Sequence, residues 1–279
     1  MLEIIKEYEN YLYEEEKSQN TIEKYIRDIK KFTQFIKDEK LDKKVVLRFK
    51  EELVKSYATN SVNSILAAVN NFVQWLGYPQ YKVKPLKIQK EIYSRPEREL
   101  TEREYQKLIK TAENKGNKRL SLIIQTICST GIRVSELKYI TVESLYQGRA
   151  TVLCKGKNRT IFIPKELCKN LKKYIKSKNI KVGSIFVTKF GKEIDRTNIW
   201  KMMKDLCKEA KVLKSKVFPH NLRHLFARTY YKISKDISRL ADLLGHSSIN
   251  TTKIYMIETG TIHERQIERM NLLYNRKTT

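Results

Sequence analysis

For its 279 residues the chain has little cysteine, little proline and few histidines: 4, 5 and 4 respectively. Cys128, Cys154, Cys168 and Cys207 lie far apart with no C-x-x-C pair, so small buried thiols are expected rather than a disulfide framework. No histidine pairs with a cysteine at zinc spacing. The G-x-x-x-x-G-K-[ST] loop that cradles nucleotide phosphates is missing, which argues against ATP-driven work. There is no tight carboxylate cluster of the two-metal nuclease kind. The expectation is chemistry without metal or nucleotide cofactor. No apolar run approaches the ~18–20 residues that a membrane span needs. The opening MLEIIKEYENYLYEEEK is charged from Glu3 onward and has no apolar signal core, so a cytoplasmic protein is expected.

Acidic residues are also scarce. Asp and Glu total 31 against 57 Lys and Arg, a formal net charge of +26. A small domain needs only ~2–8 charges for solubility. The excess points to a polyanionic partner, nucleic acid before an anionic membrane. Charge alone does not separate a binder from an enzyme. Hydrophobic residues make up 41%, enough for a real core.

Residues 1–88 read as a four-helix unit. Ile22, Tyr25, Ile26, Ile29, Phe32, Phe35 and Ile36 recur at helical spacing, and Lys24, Arg27, Lys30 and Lys31 lie between them. That basic face is either solvated surface or a DNA contact, with Lys24, Arg27 and Lys31 as the candidates. Residues 84–98 have a linker composition, two prolines and many charges, and 89–98 are assigned as the linker. From residue 99 the pattern is helical again, opening on a Thr101/Glu104 capping box. It is interrupted by β-rich runs at 150–154 and 159–163 around a Lys155–Asn158 turn, and a third strand is predicted over 184–187. The expected fold is mainly α with a small antiparallel sheet.

Four places carry groups suited to chemistry. An apolar helix ends at Gly131 and a new one is predicted to start near Arg133, where outward backbone N–H groups suit an anion. Glu136, one turn on, can orient the guanidinium, although the two also suit a surface pair worth ~0.3–0.5 kcal/mol. Lys155, with Lys157 and Arg159, sits at a hairpin tip that is either solvated or reaches a DNA groove. His220 and Arg223 share a face just after Pro219, a residue suited to a first helical turn. Lastly, a helix ending at Gly245 leads through His246-Ser247-Ser248 to Tyr255, one of 16 tyrosines.

In this order, T-G-x-R-x-x-E-L, a hairpin lysine, H-x-L-R-H and L-G-H-S-S-x-x-T-T-x-x-Y resemble the tyrosine recombinases of the phage-integrase and Xer type. The resemblance spans the chain and implies a SAM-like core-binding domain at 1–88 and a catalytic domain at 99–279. The chain opens directly on the core-binding unit, which is similar to Xer proteins and compact integrases. By this resemblance Tyr255 is the nucleophile, Arg133 and Arg223 hold the scissile phosphate, and His220 is the general base. Lys155 is the general acid, His246 a phosphate hydrogen-bond donor and Glu136 a support. A phenol ionises only near pH ~10, so cationic neighbours are needed. The implied partners are duplex DNA with inverted-repeat core sites and other protomers in a tetrameric synapse, joined by exchange of a helix at about 261–275. The implied role is integration or excision of a mobile element, or Xer-type resolution. The alternatives are a type IB topoisomerase-like relaxase and a non-catalytic DNA-binding accessory factor.

Overall fold

A computed structural model describes residues 2–37, 39–88, 96–154, 157–188, 190–256 and 267–270. The chain forms two compact units, residues 1–91 and 92–279.

The first unit is built from α1 (Leu2–Glu14), α2 (Gln19–Ile36), α3 (Lys43–Ser56) and α4 (Thr59–Trp75). The apolar stripe of α2 turns inward: Ile22, Ile26, Ile29, Phe32 and Ile36 are buried. Full burial of such a side chain contributes roughly 1.5–3 kcal/mol over exposure. Asp42 caps α3 by accepting the Val45 N–H at 2.8 Å. Tyr8, fully buried, donates its hydroxyl to Asn71 Oδ1 at 2.6 Å and meets Phe72 edge-on at 4.9 Å.

The segment after α4, although linker-like in composition from residue 84, is bound to the helices. Asn70 accepts the Val83 N–H and donates to the Val83 carbonyl, both at 2.9 Å. One heptad earlier on the same face, Asn63 does the same for Leu86, at 2.7 and 2.9 Å. Two side-chain amides therefore bind an extended backbone as a neighbouring strand would, and Val83 is buried against the helices. Of the assigned linker, residues 89–95 lie outside the described residues, and Pro96–Arg98 form a 3₁₀ turn.

In the second unit, α5 (Glu102–Asn114) carries the expected capping box, and α6 (Lys118–Thr130) runs through the core with Ile123, Ile124 and Ile127 buried. A 3₁₀ helix, Val134–Tyr139, and α7 (Val142–Gln147) lead to β1 (Arg149–Cys154) and β2 (Lys157–Phe162). These pair antiparallel, from Arg149 opposite Phe162 to Cys154 opposite Lys157. The predicted third strand is not one. Ser184 bridges only Thr141, and Val187 bridges only Glu193, so the sheet among the described residues has two strands. Helices α8 (Lys165–Lys178), α9 (Arg196–Ala210), α10 (Pro219–Ser234), α11 (Ile237–Leu244) and α12 (Ile249–Lys253) follow, then a 3₁₀ turn at Ile254–Met256. No described helix is long and apolar enough to cross a membrane.

Candidate functional site

The site is assembled from helix ends. Pro219 starts α10, and the i, i+3, i+4 spacing puts His220, Arg223 and His224 on one face of its first turns. Arg223 is the most unusual of them, a guanidinium only 1% exposed. Among the described residues no carboxylate pairs with it. Its Nη1 donates to the Gly131 carbonyl, and its Nη2 donates to the Leu244 carbonyl at 2.6 Å. Those carbonyls lie at the C-terminal ends of α6 and α11, where unpaired C=O groups and the helix dipoles present negative charge. Burial and then the charge of Arg133 lower its pKa to about 10, so the group remains a cation at neutral pH. Its Nε is buried without a hydrogen-bond partner among the described residues.

Two glycines permit this. Gly131 ends α6 with φ +64°, and a Cβ there would lie 2.4 Å from the Phe226 ring. Gly245 ends α11 with φ +63°, and a Cβ there would lie 2.6 Å from Arg159 Cδ. Both need left-handed backbone and absence of a side chain.

Arg133 precedes the 3₁₀ helix, where an α-helix with open N–H groups was expected. Its own N–H is taken by Glu136 Oε2 at 2.7 Å, and its Nη1 pairs with Glu136 Oε1 at 2.8 Å. Glu136 is buried and also accepts from Arg159 Nη2. Arg159, a candidate for DNA contact at the hairpin, is thereby tied to Glu136. Its side chain is 9% exposed, and its Nη1 donates to the Leu243 carbonyl at 3.1 Å. It joins β2 to the Glu136 turn and to the end of α11.

Tyr255 is 6% exposed and packs with Ala227, Leu240 and Leu244. Three imidazoles surround its ring. His246 stacks on it at 5.6 Å with 10° between planes, His224 meets it edge-on at 4.4 Å, and His220 lies at 6.1 Å. The Tyr255 hydroxyl lies beside the Arg223 guanidinium. His246 Nε2 is 3.1 Å from Arg223 Nη2, and its Nδ1 is 2.8 Å from Thr252 Oγ1. All three histidines are held toward the neutral form. For His246, to about 4, and for His224, to about 3, burial comes first and neighbouring cations add to it. His220 is the most open of the three, yet partial desolvation, then Arg223 and Arg133, lower its pKa. An open groove of about 900 Å³ runs past Arg133, Glu136, Arg159, Phe162, Gly245 and His246.

The structure therefore brings Arg133, Glu136, His220, Arg223, His246 and Tyr255 together. Lys155 lies outside the described residues, and so does the side chain of Lys157. Two residues had no role in the sequence reading. His224 stood unused inside its H-x-L-R-H motif, and Thr252 is a fully buried polar residue inside the T-T pair. In the first unit, Lys24 is tied to Asp28 at 2.7 Å and to the Ser64 carbonyl at 2.9 Å. Lys31 donates to the Tyr57 hydroxyl at 3.2 Å. Arg27 is 68% exposed, with Asp28 at 3.8 Å. Among the described residues no three His, Cys, Asp or Glu side chains cluster as a metal site.

A helical unit followed by a helical unit with one hairpin, its arginines and histidines gathered on helix ends around a tyrosine, defines the lambda-integrase-like class of fold. The solved lambda integrase dimer bound to a core site overlays with TM-score 0.75 over 100% of this chain and 99% of its own, at 18% identity. Residues 98–259 match the phage integrase family and 5–77 the phage integrase N-terminal SAM-like domain. The chain belongs to the phage integrase family and is a tyrosine recombinase of the Xer/integrase kind. It is 31% identical to tyrosine recombinase XerA of Pyrococcus furiosus, over 98% of this chain and 96% of that protein. It is 28% identical to tyrosine recombinase XerD of Oceanobacillus iheyensis, over 85% and 87%. The crystal structure of XerA recombinase aligns with TM-score 0.54 at 26% identity, covering 98% of this chain and 99% of that one.

Proposed function

We propose that this chain cuts and rejoins duplex DNA at specific sites through a 3′-phosphotyrosine intermediate, without metal or ATP. The observation that carries the reading is the meeting of Tyr255 with the Arg223 guanidinium, inside the electrostatic reach of Arg133. The phenolate oxygen of Tyr255 attacks the scissile phosphorus, the bond to the 5′-oxygen breaks, and the DNA 3′ end stays on the tyrosine. His220, held neutral, takes the phenolic proton. Arg133 and Arg223 stabilise the charge of the pentacoordinate transition state, with Glu136 orienting Arg133. Lys155 delivers a proton to the departing 5′-oxygen, which leaves as a hydroxyl. One phosphoester replaces another, so the reverse attack reseals the strand.

The partners are duplex DNA with inverted-repeat core sites and further protomers in a tetramer. Residues 267–270 are helical with Ile267 and Met270 exposed, which suits an exchanged helix awaiting a neighbour's surface. The reading covers Xer-type resolution and movement of a mobile element, and its near full-length likeness to XerA and XerD proteins favours the first.

The test uses a duplex selected from a random-sequence pool, nicked near the cut so that the leaving strand escapes, in buffer with EDTA. Wild type is expected to form a detergent-stable adduct on the 3′ end. Tyr255→Phe is expected to bind the duplex equally and form none. An adduct in Tyr255→Phe, an adduct on the 5′ end, or a requirement for Mg²⁺ overturns the proposal.

A further inference from the structure

His246 touches two groups that constrain where its proton sits. A guanidinium has donors only, so Arg223 Nη2, 3.1 Å away, makes Nε2 of His246 an acceptor. A neutral ring then carries its proton on Nδ1, and Thr252 Oγ1 at 2.8 Å accepts it. In that state Nε2 has no hydrogen to offer an incoming phosphate. An anionic phosphate oxygen is a stronger acceptor for the guanidinium than an imidazole nitrogen is. Once Arg223 turns to it, Nε2 faces an acceptor and can bond it only if protonated. The ring stays neutral if Nδ1 becomes the acceptor instead, and that needs a partner able to switch from accepting to donating. A hydroxyl can do both. Thr252 has 0% exposure, so its hydroxyl is held against Nδ1 rather than spent on bulk solvent.

Building on the phosphoryl-transfer reading above, we propose that Thr252 is a positioning residue whose hydroxyl sets, and on phosphate entry reverses, the tautomer of His246. In the exchange Nε2 takes a proton from solvent, Nδ1 returns one to it, and the Thr252 O–H turns toward Nδ1. Thr252 lies three residues before Tyr255 on the same turn of chain, so the segment carrying the nucleophile also carries the group that prepares His246.

The chain has only 4 histidines, so ¹⁵N-histidine labelling, assigned with His246→Asn, resolves the ring. The free protein is expected to show a protonated Nδ1. The Tyr255→Phe chain on the selected duplex is expected to show a protonated Nε2 and a bare Nδ1. The same tautomer in both states, or both nitrogens protonated on DNA, overturns the proposal. In rate measurements, Thr252→Val is expected to bind the duplex as wild type does and to cleave about 10–100-fold more slowly. Thr252→Ser, which keeps the hydroxyl, is expected to stay close to wild type. An undiminished Thr252→Val rate overturns the proposal, and if that variant fails to fold, the tautomer pair and Thr252→Ser decide. A wild-type chain that forms no adduct overturns the cleavage reading instead, a result separable from the nitrogen signals.

Discussion

Replacing Gly131 by alanine tests how the arginine at the centre of the site is seated. Gly131 and Gly116 both stand at helix C-terminal ends with nearly equal angles, φ +64° and +68°. A Cβ at Gly116 would meet nothing within 4 Å, whereas one at Gly131 would lie 2.4 and 2.5 Å from two Phe226 ring atoms. Left-handed backbone costs a non-glycine residue about 1–2 kcal/mol, and both variants carry that cost. Overpacking adds about 1–3 kcal/mol, and only Gly131→Ala carries it. Denaturant unfolding of the two variants should therefore differ by about 1–3 kcal/mol, and Phe226→Leu should recover most of the difference in the Gly131→Ala background. The Gly131 carbonyl also anchors Arg223, so the folded Gly131→Ala protein should cleave more slowly, by up to about 100-fold for a displacement near 1 Å. Equal destabilisation of the two variants, or no relief from Phe226→Leu, refutes the reasoning.

Two further outcomes follow from the same geometry. His224 and His246 are held down to about 3 and about 4 in the folded chain, against ~6.5 when unfolded. Between those values the unfolded state binds more protons, so stability is fully present above ~6.5 and falls as pH drops toward ~3. The urea midpoint should decline over that window, less steeply in His246→Asn, and a midpoint that rises on acidification contradicts the assignment. Arg159→Met removes one of the two arginines on buried Glu136, which keeps Arg133, and should cost about 1.5–3 kcal/mol, with partial recovery on adding Glu136→Gln. It should leave the salt slope of DNA binding unchanged, whereas loss of a phosphate contact would lower that slope by ~1.

The helices were legible because their buried faces repeat at helical spacing, as Ile22, Ile26, Ile29, Phe32 and Ile36 do in α2. The residues of the site were legible as motifs, but their setting was not. A lone arginine is read as solvated, and nothing near Arg223 in sequence announces that Gly131 and Leu244 would supply its carbonyl partners. Arg159 looked like the tip of a charged hairpin for the same reason, since Glu136 lies 23 residues away. The strand predicted at 184–187 failed because its β-rich run pairs with loops, through Thr141 and Glu193, rather than with the hairpin. His224 and Thr252 were passed over because a polar side chain one position from a recognised motif residue carries no signal until its neighbours in space are known.

The paired amides of Asn63 and Asn70 bear on where the amino-terminal unit should be cut for study. The matched SAM-like region stops at residue 77. A fragment ended there would discard Val83 and Leu86, uncover the apolar strip they shield and leave two carboxamides bonding only to solvent. One carried through residue 88 keeps its own cover and should be the better behaved piece in solution.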